Sequence, residues 1–437
     1  MNATLLSQII SERLGIDRPN AMQQAVWASQ ARRLVVLSPT GSGKTVGFMG
    51  AVLERLDNPR QTTQALILAP SRELVLQIFE VARKMARGYK VVAFYGKHSM
   101  DDEVASLSVT PDIIVATPGR MLDHLQRQTA NVQTVSTLVI DEYDKALELG
   151  FHEEMRKICR RLPNVKNVIL TSATAIKEQP DFIDMAGAET IDFAAGAKDL
   201  RSRLQIVHVE SPARDKLQTL EDLLLSLDNG KAIVFVNHRD AAERVYQRLK
   251  EAKLPVGLYH GGLEQIDREG AVIQFNNGST PILVSTDLGA RGLDIDAVNY
   301  VIHYHMPPSP EAWTHRNGRT ARVDATGEVY VISSEGENIP DYVVWDRDYN
   351  PTAHSDKPIK RTAATIYINS GRKEKISRGD IVGFLTKDAG LEGQQIGKID
   401  LRDHASFVAV PPQALNQIFA LPAPKIKGKR VKISKFN

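Results

Sequence analysis

The chain has 437 residues, 24% charged and 42% apolar, with a formal net charge of +3, a length that exceeds what one hydrophobic core supports and so calls for two or three domains. No apolar run is long enough to span a bilayer, and Ser11, Glu12 and Arg13 interrupt the start too early for a secretory leader, so no membrane partner is expected. The single cysteine, Cys159, excludes an internal disulfide and has no neighbours at metal-ligand spacing; a buried helical position in a reducing, cytoplasmic setting is expected for it.

The charge is unevenly spread. From Thr362 onward thirteen Lys/Arg stand against six Asp/Glu, while everything before is slightly negative. A near-neutral body with a basic C-terminal piece points to an anionic polymer as partner. A solubilising tail is the plain alternative.

In chain order, the first chemistry-bearing stretch follows the apolar run Leu34-Val35-Val36-Leu37: Ser38-Pro39-Thr40-Gly41-Ser42-Gly43-Lys44-Thr45. A buried strand feeds a glycine-rich turn that opens a helix, so several N–H groups converge on one anion. Lys44 adds a charge for the outer phosphates and the Thr45 hydroxyl suits Mg²⁺. Further runs at Ala65–Leu68, Val91–Phe94, Ile113–Val115, Leu138–Ile140 and Val168–Leu170 are almost continuously apolar, as strands buried on both faces of a parallel sheet must be. A doubly wound α/β domain is predicted to about residue 200.

Its strand ends carry more than packing requires. Asp141-Glu142 follows one strand: one carboxylate suited to a Mg²⁺-bound water, the other to orienting an attacking water. Ser172-Ala173-Thr174, Thr117-Pro118-Gly119-Arg120 and Pro70-Ser71-Arg72-Glu73 follow three others. Each alone reads as a turn or helix cap; four in one domain do not.

From about Leu204 the pattern restarts, with strands at Ala232–Val236, Val256–Tyr259, Ile282–Val284, Tyr300–Ile302 and Val329–Ile332 and no phosphate loop. Arg319 and Arg322, three apart in His315–Arg322, read as arginine fingers for a neighbouring phosphate site, or otherwise as a surface pair. After a linker the order strand (365–368), helix (378–385), strand (396–401), strand (407–410), helix (412–421), strand (429–434) is predicted, a βαββαβ pattern of the RNA-recognition-motif type.

Together these motifs resemble the DEAD-box RNA helicases over nearly the whole chain. The resemblance implies two RecA-like doubly wound parallel-sheet domains in tandem (1–200 and 201–350), a linker (351–361) and a small α+β RRM-like domain (362–437). It implies ATP and Mg²⁺ as cofactors, with Ile16, Gln23, Ser38 to Thr45 and Asp294 on the nucleotide, and Thr45 and, through water, Asp141 on the metal. Lys44, Asp141, Glu142, Arg319 and Arg322 would carry the chemistry, and Asp144, Ser172, Thr174 and His315 the coupling. Pro70, Arg72, Thr117, Gly119, Arg120, Gln265, Arg268 and Thr286 would contact RNA. The amide of Gln23 can both donate to and accept from one adenine edge.

Four positions depart from the family pattern: Tyr143 replaces the alanine beside the acidic pair, Ile16 an aromatic, Lys97 a glycine and Ala321 a glycine. Residues 371–381, 396–399 and 425–429 are similar to the C-terminal domain of the DbpA-type helicases. That likeness implies a monomeric ribosome-assembly helicase acting on 23S rRNA and pre-50S particles, with Lys425, Lys427, Lys429 and Arg430 on phosphates and Tyr367 and Phe407 available for stacking or for core packing. The competing readings are a non-hydrolysing, ATP-gated RNA clamp or scaffold and a DNA translocase of the same two-domain design.

Overall fold

The computed structural model describes residues 3–436 except 40, 60, 175–179, 194–200, 288–294, 296–297, 321–325 and 353. The chain divides into two units, Met1–Ser202 and Arg203–Asn437.

In the first unit, β1 (Arg33–Leu37), β2 (Ala65–Leu68), β3 (Val91–Phe94), β4 (Ile113–Ala116), β5 (Thr137–Ile140), β6 (Asn167–Ser172) and β7 (Glu189–Asp192) form one sheet in the order β3-β4-β2-β5-β6-β1-β7. Every pairing is parallel. Alternate side chains enter two cores, one on each face: Ile67 and Val139 on one side, Leu66 and Leu138 on the other. The flanking helices are amphipathic. In Arg72–Met85, Leu74, Val75, Ile78, Ala82 and Met85 are buried, and Ser71 caps the start by accepting from Leu74 N–H.

The strand order has a consequence for chemistry. The carboxyl ends of β5, β6 and β1 lie side by side, and those of β2, β4 and β3 lie side by side on the other half of the same edge. The phosphate loop, the acidic pair and Ser172 therefore share one half; Pro70, Tyr95 and Thr117 share the other.

The second unit repeats this plan with β8 (Leu204–Ser211), β9 (Ala232–Val236), β10 (Val256–Tyr259), β11 (Ile282–Thr286), β12 (Tyr300–His303), β13 (Gly327–Ser334) and β14 (Arg347–Asp348), ordered β10-β11-β9-β12-β13-β8-β14 and all parallel. The segment expected as a linker packs on the second unit's α/β domain. Ser355 N–H donates to Leu225 O at 2.9 Å, Ser355 Oγ to Asp228 at 2.6 Å, and Ile359 enters the core beside β9.

The C-terminal sheet is antiparallel: β15 (Ala364–Ile368), β16 (Ile399–Leu401) and β17 (Ser406–Val410), then the hairpin β18 (Lys425–Ile426) and β19 (Lys429–Arg430), then β20 (Ile433–Lys435). Its order, β16-β17-β15-β20, is RRM-like. The single last strand expected over 429–434 is instead this hairpin followed by β20. The left-handed pair Lys427 (φ 54) and Gly428 (φ 77) makes the turn.

Ile366, Ile368, Val408 and Val410 face the small core, so Thr365, Tyr367, Phe407 and Ala409 share the opposite face. That face meets the preceding domain. Asn277 Nδ2 donates to Thr365 Oγ1 at 2.8 Å, Ser279 Oγ lies 2.8 Å from the same hydroxyl, and Gln274 Nε2 donates to Phe436 O at 2.9 Å. Phe407 is buried edge-on against Phe436, with ring centroids 4.9 Å apart. Gly270, inside helix Gln265–Asn276, costs that helix about 1 kcal/mol relative to alanine, but a Cβ there would come within 2.7 Å of the Phe436 ring.

Gly270→Ala is therefore expected to loosen this docking by about 1–3 kcal/mol, seen as faster proteolysis between the two domains of the second unit. Phe436→Ala in the same chain should restore part of the protection; unchanged proteolysis of the single variant would refute the seat.

Candidate nucleotide and nucleic-acid site

Gly41 (φ 80) and Gly43 (φ 83) take left-handed backbone in the turn after β1, a conformation that glycine adopts without steric cost, and Gly43 caps helix Lys44–Arg55. The cap has no side-chain hydrogen bond, so this helix start keeps its N–H groups for another acceptor. Lys44 is buried and curls over the loop, Nζ donating to Ser38 O at 2.5 Å and Pro39 O at 3.2 Å. Ser38 N–H in turn donates to Ser172 O at 3.0 Å, and Thr45 is half-buried one residue into the helix. Thr40 lies outside the described residues.

Gln23 is buried against this loop. Its Oε1 accepts from Asn20 N–H at 3.0 Å and its Nε2 donates to Gly43 O at 3.2 Å. Any Cβ at Gly43 would press to 2.5 Å of that nitrogen. The amide predicted to read a base is thus also a brace for the loop. One lone pair and one N–H remain on it, enough for one base edge. Ile16 is half-buried and packs against the core of the first unit.

Asp141 stands at the end of β5 with 2% exposure and accepts a hydrogen bond from Thr171 Oγ1. Burial, and then the neighbouring Glu142 charge, push its carboxyl up to about 6, against the pull of Thr171 and Lys44. Glu142 has left-handed backbone (φ 47), strained for a non-glycine residue, and its N–H donates to Thr171 Oγ1 at 3.2 Å. Thr171, a hydroxyl beneath both acids, escaped the sequence reading; a threonine ending the apolar run Val168–Leu170 was its signal. Thr174 Oγ1 donates to Asp144 Oδ2 at 2.9 Å, and Ser172 Oγ to Thr174 O at 2.5 Å, joining the end of β6 to the acidic loop. Tyr143 does not crowd the acids: at 1% exposure it enters the core on one face of the sheet.

On the other half of the edge, Pro70 is buried, the Arg72 guanidinium lies 4.8 Å from the Tyr95 ring centroid, and Thr117 N–H donates to Phe94 O at 3.0 Å. Gly119 is exposed with open space where a Cβ would be. Lys97 keeps a left-handed φ of 61, the conformation a glycine at this position would favour. Arg120 is engaged inside the protein: Nε donates to Glu103 at 2.7 Å and Nη2 to His98 O at 2.6 Å. Glu103, 1% exposed, also meets His124 at 2.8 Å, His98 at 3.2 Å and Tyr95 N–H at 3.1 Å. The sequence reading passed over Glu103, which ties the loop after β3 to helix Pro118–Gln126.

In the second unit His315, Arg316 and Arg319 are all buried. Arg316, not singled out from sequence, holds Asp287 through two nitrogens (2.5 and 2.7 Å), Asn237 Oδ1 at 2.7 Å and His305 O at 2.9 Å. Arg316 lies inside the stretch His315–Arg322 that the sequence singles out, and Asp287 directly follows Thr286. Arg322 and Asp294 lie outside the described residues. Thr286 is buried at the end of β11. Arg268 Nη2 donates to Gln265 Oε1 at 2.6 Å, so these two form a pair on helix Gln265–Asn276. In the C-terminal hairpin Lys427 Nζ reaches Lys375 O at 3.3 Å and Lys429 Nζ reaches Glu374 O at 2.8 Å, whereas Lys425 and Arg430 are exposed cross-strand partners. Cys159 is half-buried on helix His152–Cys159, and burial raises its thiol to about 12, beyond reactive range.

Comparison with known proteins gives the class. The model of the DEAD/DEAH box helicases matches residues 20–182, that of the helicase conserved C-terminal domain 215–324, and that of the DbpA RNA-binding domain 365–435. The chain is 32% identical to the ATP-dependent RNA helicase DbpA of Escherichia coli over 91% of its own length and 90% of that protein's. It is 31% identical to DbpA of Bacillus subtilis over 98% and 96%. Its fold is similar to that of Saccharomyces cerevisiae Dbp5 bound to RNA and ADP BeF3, with a TM-score of 0.69 at 24% identity over 80% of this chain and 94% of that one. The chain therefore belongs to the DEAD-box helicases and, within them, to the DbpA-like group.

Two outcomes test this geometry. Tyr143→Ala should cost about 3–5 kcal/mol of stability by leaving a core cavity, read by denaturant unfolding, with ATP turnover per folded molecule little changed. Arg120, His124 and Tyr95 N–H hold the Glu103 carboxyl below its ordinary range, against burial, the largest single influence, which raises it. That stabilisation is present above the ordinary glutamate value and lost as pH falls through the lower folded one. Glu103→Gln should flatten the acid limb of the stability curve; an unchanged limb would count against the hub.

Proposed function

We propose that this chain couples ATP binding and hydrolysis to local opening of RNA, and that its C-terminal domain directs it to 23S rRNA of the maturing large subunit in the cytoplasm. The observation that carries this reading is the single sheet edge of the first unit. Phosphate loop and acidic pair occupy one half, the Pro70, Arg72, Thr117 and Gly119 positions the other, and Thr174–Asp144 lies on the nucleotide side of the divide.

In this reading Gln23 recognises adenine with the amide hydrogen and lone pair that the loop leaves spare, Ile16 adds apolar contact, and Asp294 takes the ribose. Residues 38–45 cradle the phosphates, and Lys44 moves its ammonium from Ser38 and Pro39 carbonyls to the outer phosphate. A divalent cation fits here: the Asp141 carboxylate is buried and its charge is disfavoured without one. Among the described residues no group of three or more metal-ligating side chains occurs, which suits Mg²⁺ held largely by nucleotide and water. Asp141, through water, and Thr45 would hold it, and it would neutralise phosphate charge. Glu142 orients the attacking water and accepts its proton. Arg319 and Arg322 stabilise charge developing on the γ-phosphate, Arg316 and Asp287 hold that helix end in place, and His315 and the Ser172–Thr174–Asp144 contacts relay the nucleotide state to RNA.

RNA contacts fall to Pro70, Arg72, Thr117 and Gly119 and to Gln265, Arg268 and Thr286, with Arg120 positioning its loop. Retention of Glu142 and Arg319 favours this over a non-hydrolysing clamp, which needs neither. Exposed Lys425 and Arg430 carry more of the phosphate contact in the C-terminal domain than Lys427 and Lys429, whose ammonium groups already meet backbone carbonyls.

Lys44→Ala or Glu142→Gln should lower RNA-stimulated ATP turnover by on the order of 10²-fold or more; turnover near wild type would refute the site. Lys425→Ala with Arg430→Ala should reduce the slope of log affinity for 23S rRNA against log salt by about two and erase the preference for that RNA over mixed RNA. A retained preference would remove the targeting role from this hairpin.

A further inference from the structure

Within the second unit, a cleft of about 460 Å³ lies where the α/β domain meets the C-terminal sheet. We propose that this cleft binds one unstacked nucleotide, base on its apolar floor and phosphate on its basic rim, as a site separate from the strand-end residues assigned above.

Its volume is in the range of small-ligand pockets. Leu254 and Val256, the latter buried, line it together with Tyr246 and Phe436. Phe436 is pinned through its backbone: its N–H donates to Thr365 O at 2.9 Å and its carbonyl accepts from Gln274 Nε2 at 2.9 Å. A ring fixed in this way offers a base a stacking surface with little left to order.

The rim carries Lys250, Arg361 and Lys435 against one carboxylate, Asp267. Lys250 Nζ lies 5.6 Å from the Tyr246 ring centroid, so a cation stands directly beside a stacking face. Aromatic surface next to cation is the pairing that a base with its phosphate requires.

Thr280 gives the independent sign of a ligand. It lines the cleft at 8% exposure, and its Oγ1 has no hydrogen-bond partner. Buried hydroxyls without partners are exceptions that ask for an explanation. Gly257, also on the wall, places only a hydrogen where a Cβ would sit 3.4 Å from that oxygen. Turned toward the cleft, that hydroxyl can donate to a ring nitrogen or carbonyl of a base or to its phosphate, partners that an aliphatic ligand lacks.

Two sources offer this chemistry: a base splayed from single-stranded RNA and a free mononucleotide. The inference rests on the RNA-binding reading only through the first. The test is photo-crosslinking of the full chain with two probes, a 4-thiouridine-bearing single-stranded oligoribonucleotide of about ten nucleotides and 4-thiouridine 5′-monophosphate, followed by peptide mapping. Labelling of peptides containing Tyr246 or Phe436 is expected. It should fall about tenfold in Lys250→Glu with Lys435→Glu and severalfold in the near-isosteric Thr280→Val, with basal ATP turnover unchanged. Labelling by the oligomer that excess monophosphate does not displace identifies RNA as the source; saturable labelling by the monophosphate identifies a free nucleotide. The proposal is overturned if neither probe labels the cleft while peptides spanning 70–72 and 117–120 are labelled by the oligomer, or if cleft labelling survives both sets of substitutions. Cleft labelling without strand-end labelling would instead overturn the RNA contacts proposed above and leave the cleft standing, and no labelling anywhere would overturn both.

Discussion

A carboxylate held almost out of water at the end of β5 is the constraint on which the nucleotide side of this protein turns. Burying Asp141 is costly unless something opposes the charge, and the protein supplies only part of that opposition: the Thr171 hydroxyl, the Lys44 ammonium and the Glu142 backbone N–H, set against the Glu142 carboxylate next door. On the function proposed above, the remainder is supplied by ligands. A site that is electrostatically incomplete when alone responds strongly to a bound cation and phosphates, because their arrival removes a penalty as well as adding contacts. The same logic accounts for Lys44, whose ammonium is satisfied by two loop carbonyls that cost little to exchange for phosphate oxygens.

Because the sheet is wholly parallel, all its strand ends with chemical groups fall on one edge, and the order β3-β4-β2-β5-β6-β1-β7 sorts them into two halves. Communication between the halves then has to run through the neighbouring strands β2 and β5, whose ends are joined by Asp141 N–H donating to Leu68 O. Thr171 sits one strand further along and accepts from Glu142 while donating to Asp141. A shift of the acidic pair by a fraction of an ångström thus bears on β2 and β6 together, the strands that lead to Pro70 and to Ser172.

The strands were legible from sequence because a strand buried on both faces is nearly uninterrupted in apolar residues, and the strand-end tetrads stood out because polar residues there have no packing reason to exist. What escaped was non-local. Glu103 and Arg120 lie 17 residues apart and are joined by the fold, so neither residue announces the other. Tyr143 departs from the family's alanine beside the acids, yet the first turn of helix Tyr143–Glu148 directs it into the core; a six-residue helix gives too little periodicity to say so. The βαββαβ order was readable, but the last strand expected over 429–434 is shared between β19 and β20, because the turn at Lys427-Gly428 folds Lys429-Arg430 back on Lys425-Ile426 through left-handed backbone that only the glycine signals.

The docking of the C-terminal sheet is the clearest case of structure adding function that sequence could not. In an RRM-like fold the face bearing Tyr367 and Phe407 is the expected platform for bases, and here it is spent on Phe436 and on helix Gln265–Asn276, with Gln274 and Phe436 separated by 162 residues. A domain that gives up its open face gains a fixed orientation, since Thr365, Thr362 and Phe436 together hold it to the helix and to the turn after it. The basic Lys425–Arg430 hairpin then points in one direction relative to Gln265 and Arg268. On the function proposed above, RNA held by the hairpin would reach the strand ends of the same unit with its position set by the protein rather than by a tether. A rigid seat of this kind converts binding at one end into local concentration at the other, and Gly270 is the residue whose missing side chain makes the seat possible.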